Sequence, residues 1–154
     1  MHIDVHSEMQ KVREVFERCD LLPFDDVLRS HWAKYLSILT TGYLERVIKI
    51  VLTEYTRRCA NTYVAAYAEA QLASFQNPGV DKICTLLAQF DRRWEQRLVE
   101  FWKEERKAAV ASVVNVRHHA AHGRHFGTTI AQMRDYHRRV NEVVIFLDEL
   151  VLGP

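Results

Sequence analysis

Apolar side chains recur at intervals of three and four residues along nearly the whole chain, and no stretch alternates apolar with polar as a half-buried strand does. Helix is the one regular structure this pattern supports. Five glycines and three prolines in 154 residues leave few places to end an element, so the helices should be joined by short connections. With 48% hydrophobic residues, a chain of this length can bury most of its apolar surface in a single core. The expectation is an all-α fold with one domain over residues 1–154.

The first helix is expected over about residues 4–19, with Val12, Val15, Phe16 and Cys19 on one face, and Leu22-Pro23-Phe24 breaks it. The next segment runs from about Asp25 to Arg58, with a break expected near Thr40-Thr41-Gly42. Its Leu44, Val47, Ile48, Val51, Leu52 and Tyr55 form the longest apolar stripe and mark the central core helix. Asn61 or Thr62 caps a helix to about Phe75, and Asn77-Pro78-Gly79 ends it. A short helix at Val80–Ala88 and a charged one from Phe90 to Trp102 follow. Another begins near Lys103 and buries Ala109, Val110, Val113, Val114 and Val116. A loop from Gly123 to Gly127 leads to a last helix, about Thr128 to Val151.

The formal net charge of +1 is too small to announce a nucleic-acid partner by bulk electrostatics. Its distribution is uneven. Arg117, Arg124, Arg134, Arg138 and Arg139 face only Asp135 between positions 117 and 140, and the remainder of the chain is net negative. Cys19, Cys59 and Cys84 are odd in number and widely spaced, with no Cys-x-x-Cys pair, and are expected as reduced, buried thiols of a cytoplasmic protein. Asp4, Glu8 and Lys11 interrupt what a signal peptide would keep apolar, and no run reaches membrane-spanning length.

Val116 to Gly123 carries the chemistry: Val-Arg-His-His-Ala-Ala-His-Gly, with Arg117 and His122 five positions apart and a glycine stop directly after. Arginine is a permanent cation whose planar fork matches phosphate oxygens, and histidine exchanges protons near neutral pH. The pair is the smallest set of groups that can cut RNA without a metal, the nucleophile being the RNA's own 2′-hydroxyl. His118 shares a face with His122 and could orient it. Arg124, His125, Arg138 and Arg139 are the candidates for gripping backbone phosphates. On a straight helix a five-residue step turns about 140° past a full revolution, so Arg117 and His122 do not share a face. Unwinding at Gly123, or a second protomer, would be needed to bring both groups to one phosphate.

The motif resembles the HEPN superfamily (higher eukaryotes and prokaryotes nucleotide-binding), marked by Arg, a polar residue, and His four to six positions after the Arg, often followed by Gly. Here these are Arg117, His118 and His122-Gly123. Further matches place it near the small stand-alone RiboL-PSP-like subgroup: Gly42-Tyr43-Leu44-Glu45, Glu54-Tyr55, Asn77-Pro78, Phe90-Asp91 with Trp94, and Glu104-Glu105-Arg106-Lys107. This resemblance spans roughly Tyr35 to Leu150 and leaves the N-terminal helix region, about residues 1–24, outside it. It implies an up-and-down helical bundle with additional short helices, dimerising so that the two motif helices face each other. It also implies a metal-independent endoribonuclease of the toxin–antitoxin or antiphage kind, without cofactor, held in check by an antitoxin or another inhibitory protein. The family usually has Asn or Asp after the arginine, where this chain has His118.

Plainer readings stand beside these. Arg117 and the histidines could simply be cations favoured at a helix C-terminus. His118 and His122 have the spacing of a zinc pair, but no Glu lies between them and no third ligand is evident. Glu45 could neighbour the cleft and tune His122, or form a rim salt bridge. Trp94 and Trp102 are expected as core or dimer-seam residues before they are base-stacking ones. The rival from another class is a catalytically silent HEPN module that binds RNA, a nucleotide or a partner protein.

Overall fold

The computed structural model describes residues 1–21, 25–121 and 127–153, and among them are seven helices and no strand. They are α1 (Ile3–Cys19), α2 (Asp26–Cys59), α3 (Thr62–Ala73), α4 (Val80–Phe90), α5 (Arg92–Phe101), α6 (Glu104–Ala121) and α7 (Ile130–Leu152). Local chemistry explains most of their ends. Asp25, Asn61 and Asp91 each accept a backbone N–H of the first turn that follows, and Thr129 forms a capping box with Gln132. Gly153 caps the end of α7 with a positive φ of 82°, a conformation open to glycine.

At 34 residues, α2 is the axis of the molecule. α7, α6, α1 and α3 all pack on it, α6 also packs on α7, and α4 with α5 forms a short pair beside α6. Side-chain contacts fix directions: Glu8 of α1 meets Arg46 of α2, while Arg134 near the start of α7 reaches the Phe16 carbonyl and Asp20 at the end of α1. The other end of α7 holds the start of α1, where the Asp148 carboxylate accepts the His2 N–H at 3.1 Å. α1 and α7 are thus antiparallel, and Phe101 on Phe146 with Arg106 on Glu142 make the α5–α6 segment antiparallel to α7. One continuous core runs through α1, α2, α6 and α7, centred on Leu36, Tyr43, Leu44, Val47, Val110, Val113, Met133, Val140 and Val144.

The expected break at Thr40-Thr41-Gly42 does not occur; α2 passes straight through. Tertiary contacts override the weak local propensity there. Ser37 Oγ and Thr41 Oγ1 both donate to the Val113 carbonyl of α6, at 2.9 and 3.0 Å, so these small polar residues form a close seam between α2 and α6. At Gly42 a Cβ would lie 3.3 Å from Arg46 Nη1, so its absence leaves room for the arginine that binds Glu8.

The thiols differ from expectation as well. Cys19 is buried, but Cys84 is half-buried and takes the Trp102 indole N–H on its sulfur at 3.3 Å, while Cys59 is exposed at the last residue of α2. Cys19 and Cys59 both end a helix, so packing against neighbouring helices, not position along the helix, separates the buried thiol from the exposed one. Trp102 is buried and Trp94 packs edge-on against Tyr55, so both serve the core as read from their spacing. No helix among the described residues is long and apolar enough to cross a membrane.

Candidate functional site

Arg117 stands one turn beyond the α2–α6 seam. Val113, whose carbonyl receives Ser37 and Thr41, is also the residue to which the regular helical pattern brings the Arg117 N–H. α2 therefore grips α6 directly beneath the arginine. Above the seam the guanidinium makes its own contact with α2, Arg117 Nη1 donating to Glu45 Oε2 at 3.1 Å. The Arg117 side chain is 30% exposed and Glu45 14%, so the carboxylate is recessed and the cation reaches solvent.

Glu45 does more than close a rim salt bridge. Its Oε1 accepts Lys49 Nζ at 3.3 Å, and Lys49 in turn donates to the Ala73 carbonyl at the end of α3. Its Oε2 accepts the backbone N–H of Asn77 at 3.3 Å as well as Arg117. Asn77 has a φ of 52°, the left-handed conformation that Asn tolerates better than most residues, and it shapes the turn before Pro78. One carboxylate thus gathers α2, the end of α3, the Asn77 turn and α6 around the arginine. The ion-pair reading of Glu45 is observed, with Arg117 as the partner, while the reading in which it tunes His122 involves a residue outside the described ones. The sequence signal that pointed to it was an acid on an otherwise apolar helix face.

His118 is exposed and His119 half-buried, their rings 5.9 Å apart in an edge-to-face arrangement. His122, Arg124 and His125 lie outside the described residues. Arg138 and Arg139 are within them, on the exposed side of α7, and both are engaged by carboxylates. Arg138 binds Asp135 at 2.7 Å and Glu142 at 3.1 Å, and Arg139 binds Glu105 of α6 and Asp135. Of the described arginines in this basic segment, Arg117, Arg134 and Arg139 are thus paired with acids of other helical regions, Glu45, Asp20 and Glu105, and Arg138 with acids of α7 itself. Among the described residues, no group of three or more His, Cys, Asp or Glu side chains is placed to hold a metal ion.

His137 has a different role from the exposed histidines. Its ring stacks on Phe16 at 4.5 Å and tilts against Tyr43 at 5.8 Å, and burial pushes its pKa down to about 4. It belongs to a buried polar cluster in the core with Asn141, whose Nδ2 lies 3.2 Å from the imidazole Nε2. A cleft of about 410 Å³ opens where the starts of α2 and α7 meet, lined by Arg29, Ser30, Thr128 and Thr129 with Asp26. Sequence reading did not find it, because the two helix starts are a hundred residues apart and meet only in the folded chain.

Compared with known families, residues 4–153 match the model of the RiboL-PSP-HEPN family. The match takes in α1, which the resemblance carried by the motifs left out. Neither the curated proteins nor the solved structures compared with the chain give a match.

Proposed function

Because the chain belongs to the RiboL-PSP-HEPN family, we propose that it is a metal-independent endoribonuclease whose Arg117 and His122 act on one scissile phosphate. The observation that carries this reading is Arg117 itself. A helix-end cation with no further role would extend into water; this one is held by a recessed carboxylate with its guanidinium still open to solvent. Such a preorganised donor suits the transition state of phosphoryl transfer, where charge builds on the non-bridging oxygens.

In the proposed reaction the 2′-oxygen attacks phosphorus, and the bond from phosphorus to the 5′-oxygen breaks. An imidazole removes the 2′-hydroxyl proton and a protonated imidazole supplies one to the departing 5′-oxygen. His122 is assigned to these transfers, with His118 assisting, and Arg117 offsets charge on the phosphorane. No protein nucleophile, metal or cofactor enters. Arg117 and His122 point in different directions on a regular helix, so the site is proposed to form between the motif helices of a homodimer. Arg124 and His125 are proposed to hold flanking phosphates. Arg138 and Arg139 would have to exchange their carboxylate partners for phosphates to do so. A toxin or antiphage effector restrained by an inhibitory protein fits an activity of this kind.

The test is to incubate purified protein with structured and unstructured RNA, with and without EDTA, and to analyse product ends. Cleavage that survives chelation and leaves 2′,3′-cyclic phosphate is the expected result. Products with 3′-hydroxyl ends, or loss of activity with EDTA, would overturn the mechanism. Binding of RNA without any cleavage would make the protein a silent HEPN module instead.

A further inference from the structure

The Asn77 turn that donates to Glu45 also forms one end of a cleft between α3 and α4, with a volume of about 480 Å³. That lies within the range of small-ligand sites. Its walls carry three aromatic rings, Tyr67, Phe75 and Phe90, and three primary amides, Gln71, Gln76 and Gln89. Among the described residues, Lys82 is its one charged lining residue and no carboxylate lines it. Tyr67 is 67% exposed although it stands on a helix beside the cleft, so its ring is available to a ligand.

We infer that this cleft takes an unstacked base of the RNA whose backbone lies at Arg117; the inference rests on the endoribonuclease reading above. Single-stranded RNA is recognised by stacking splayed bases on aromatic rings and by hydrogen bonds to their edges, and the cleft offers both. A primary amide has a donor and an acceptor side by side, the pattern that a base edge presents in complement. The charge is also complementary: a cation without a competing acid accepts a polyanion. Lys82 Nζ now donates to the Gln76 carbonyl at 2.9 Å, and Lys49 stands on the Arg117 side of the same turn. Through Gln76 and Asn77, adjacent in the chain, the base cleft and the arginine share one support. Filling the cleft would therefore select a base at a set distance from the cut and steady the Glu45–Arg117 pair.

The probe is a short single-stranded RNA with every 2′-hydroxyl replaced by fluorine, so that it cannot be cut, carrying 2-aminopurine at each position in turn. Wild type should quench the fluorescence at one register, and Tyr67→Ala should abolish that quenching and weaken binding about tenfold or more. Tyr67 is largely exposed, so thermal melting of the variant should match wild type. Gln71→Ala and Gln89→Ala should alter which base is preferred. If wild type cuts RNA and Tyr67→Ala cuts it with unchanged KM and base preference, the cleft assignment falls while the ribonuclease reading stands. If wild type cuts no RNA yet the probe is quenched in a Tyr67-dependent way, the cleavage reading falls and the cleft stands. Quenching at no position, with equal binding by wild type and Tyr67→Ala, overturns the cleft assignment.

Discussion

Glu45 of α2 holds Arg117 of α6 through a 3.1 Å charge-assisted hydrogen bond, and the same carboxylate oxygen accepts the backbone N–H of Asn77. The arginine's direction is therefore set by a helix more than seventy residues away in sequence. Glu45→Ala should leave the guanidinium present but unheld. Its contact is a hydrogen bond to a charged group, a class whose loss costs about 1.5 kcal/mol or more, so kcat for RNA cleavage should fall roughly tenfold with KM little changed. Glu45→Gln keeps an acceptor and should recover part of the rate. Equal kcat in wild type and Glu45→Ala would mean that the pair is structural only.

Arg117→Ala and His122→Ala are each expected to abolish cleavage while helicity by circular dichroism and mass by sedimentation stay unchanged. Arg117→Lys should rescue little, because an ammonium lacks the fork that can serve Glu45 and a phosphate together. Wild-type turnover in either alanine variant would remove that residue from the mechanism.

Beneath the arginine, Ser37 and Thr41 both bind the buried Val113 carbonyl. Ser37→Ala and Thr41→Val should each cost about 1 kcal/mol in urea unfolding. The two hydroxyls share one acceptor, so the double variant should depart from the sum of the singles. Strict additivity would indicate that the seam is held by packing alone.

His137 links folding to pH. Its folded pKa, about 4, lies below the ordinary 6.5 because burial opposes the charged ring. The folded state thus resists protonation, so this residue's contribution is full above about pH 6.5 and is lost progressively as pH falls toward 4. The whole effect is about 3 kcal/mol. His137→Leu should flatten the fall in unfolding free energy between pH 7 and pH 5. An unchanged slope in that variant would assign the acid sensitivity to carboxylates instead.

The cap at Asn61 and the helix starts near Asp25 and Thr128 were legible because capping acts within about three residues, and α2, α3 and α7 begin within two residues of those positions. The supposed break at Gly42 was misread for the opposite reason: a glycine after two threonines signals a stop locally, yet its lack of a side chain leaves room for the Arg46 that binds Glu8. The basic cluster was similarly deceptive. Counting charges along a segment cannot reveal that Asp20, Glu45 and Glu105 arrive from other helices to pair with it.

Apolar spacing, caps and the Arg117-to-Gly123 motif were enough to specify the all-α fold seen in the described residues and to nominate candidate site residues, since each of those signals acts over a few neighbouring residues. Which acid restrains Arg117, which histidine is sealed in the core, and which cations already have partners depended on the packing of helices distant in sequence. Periodicity states that a face is buried; only assembly of the bundle states what it is buried against.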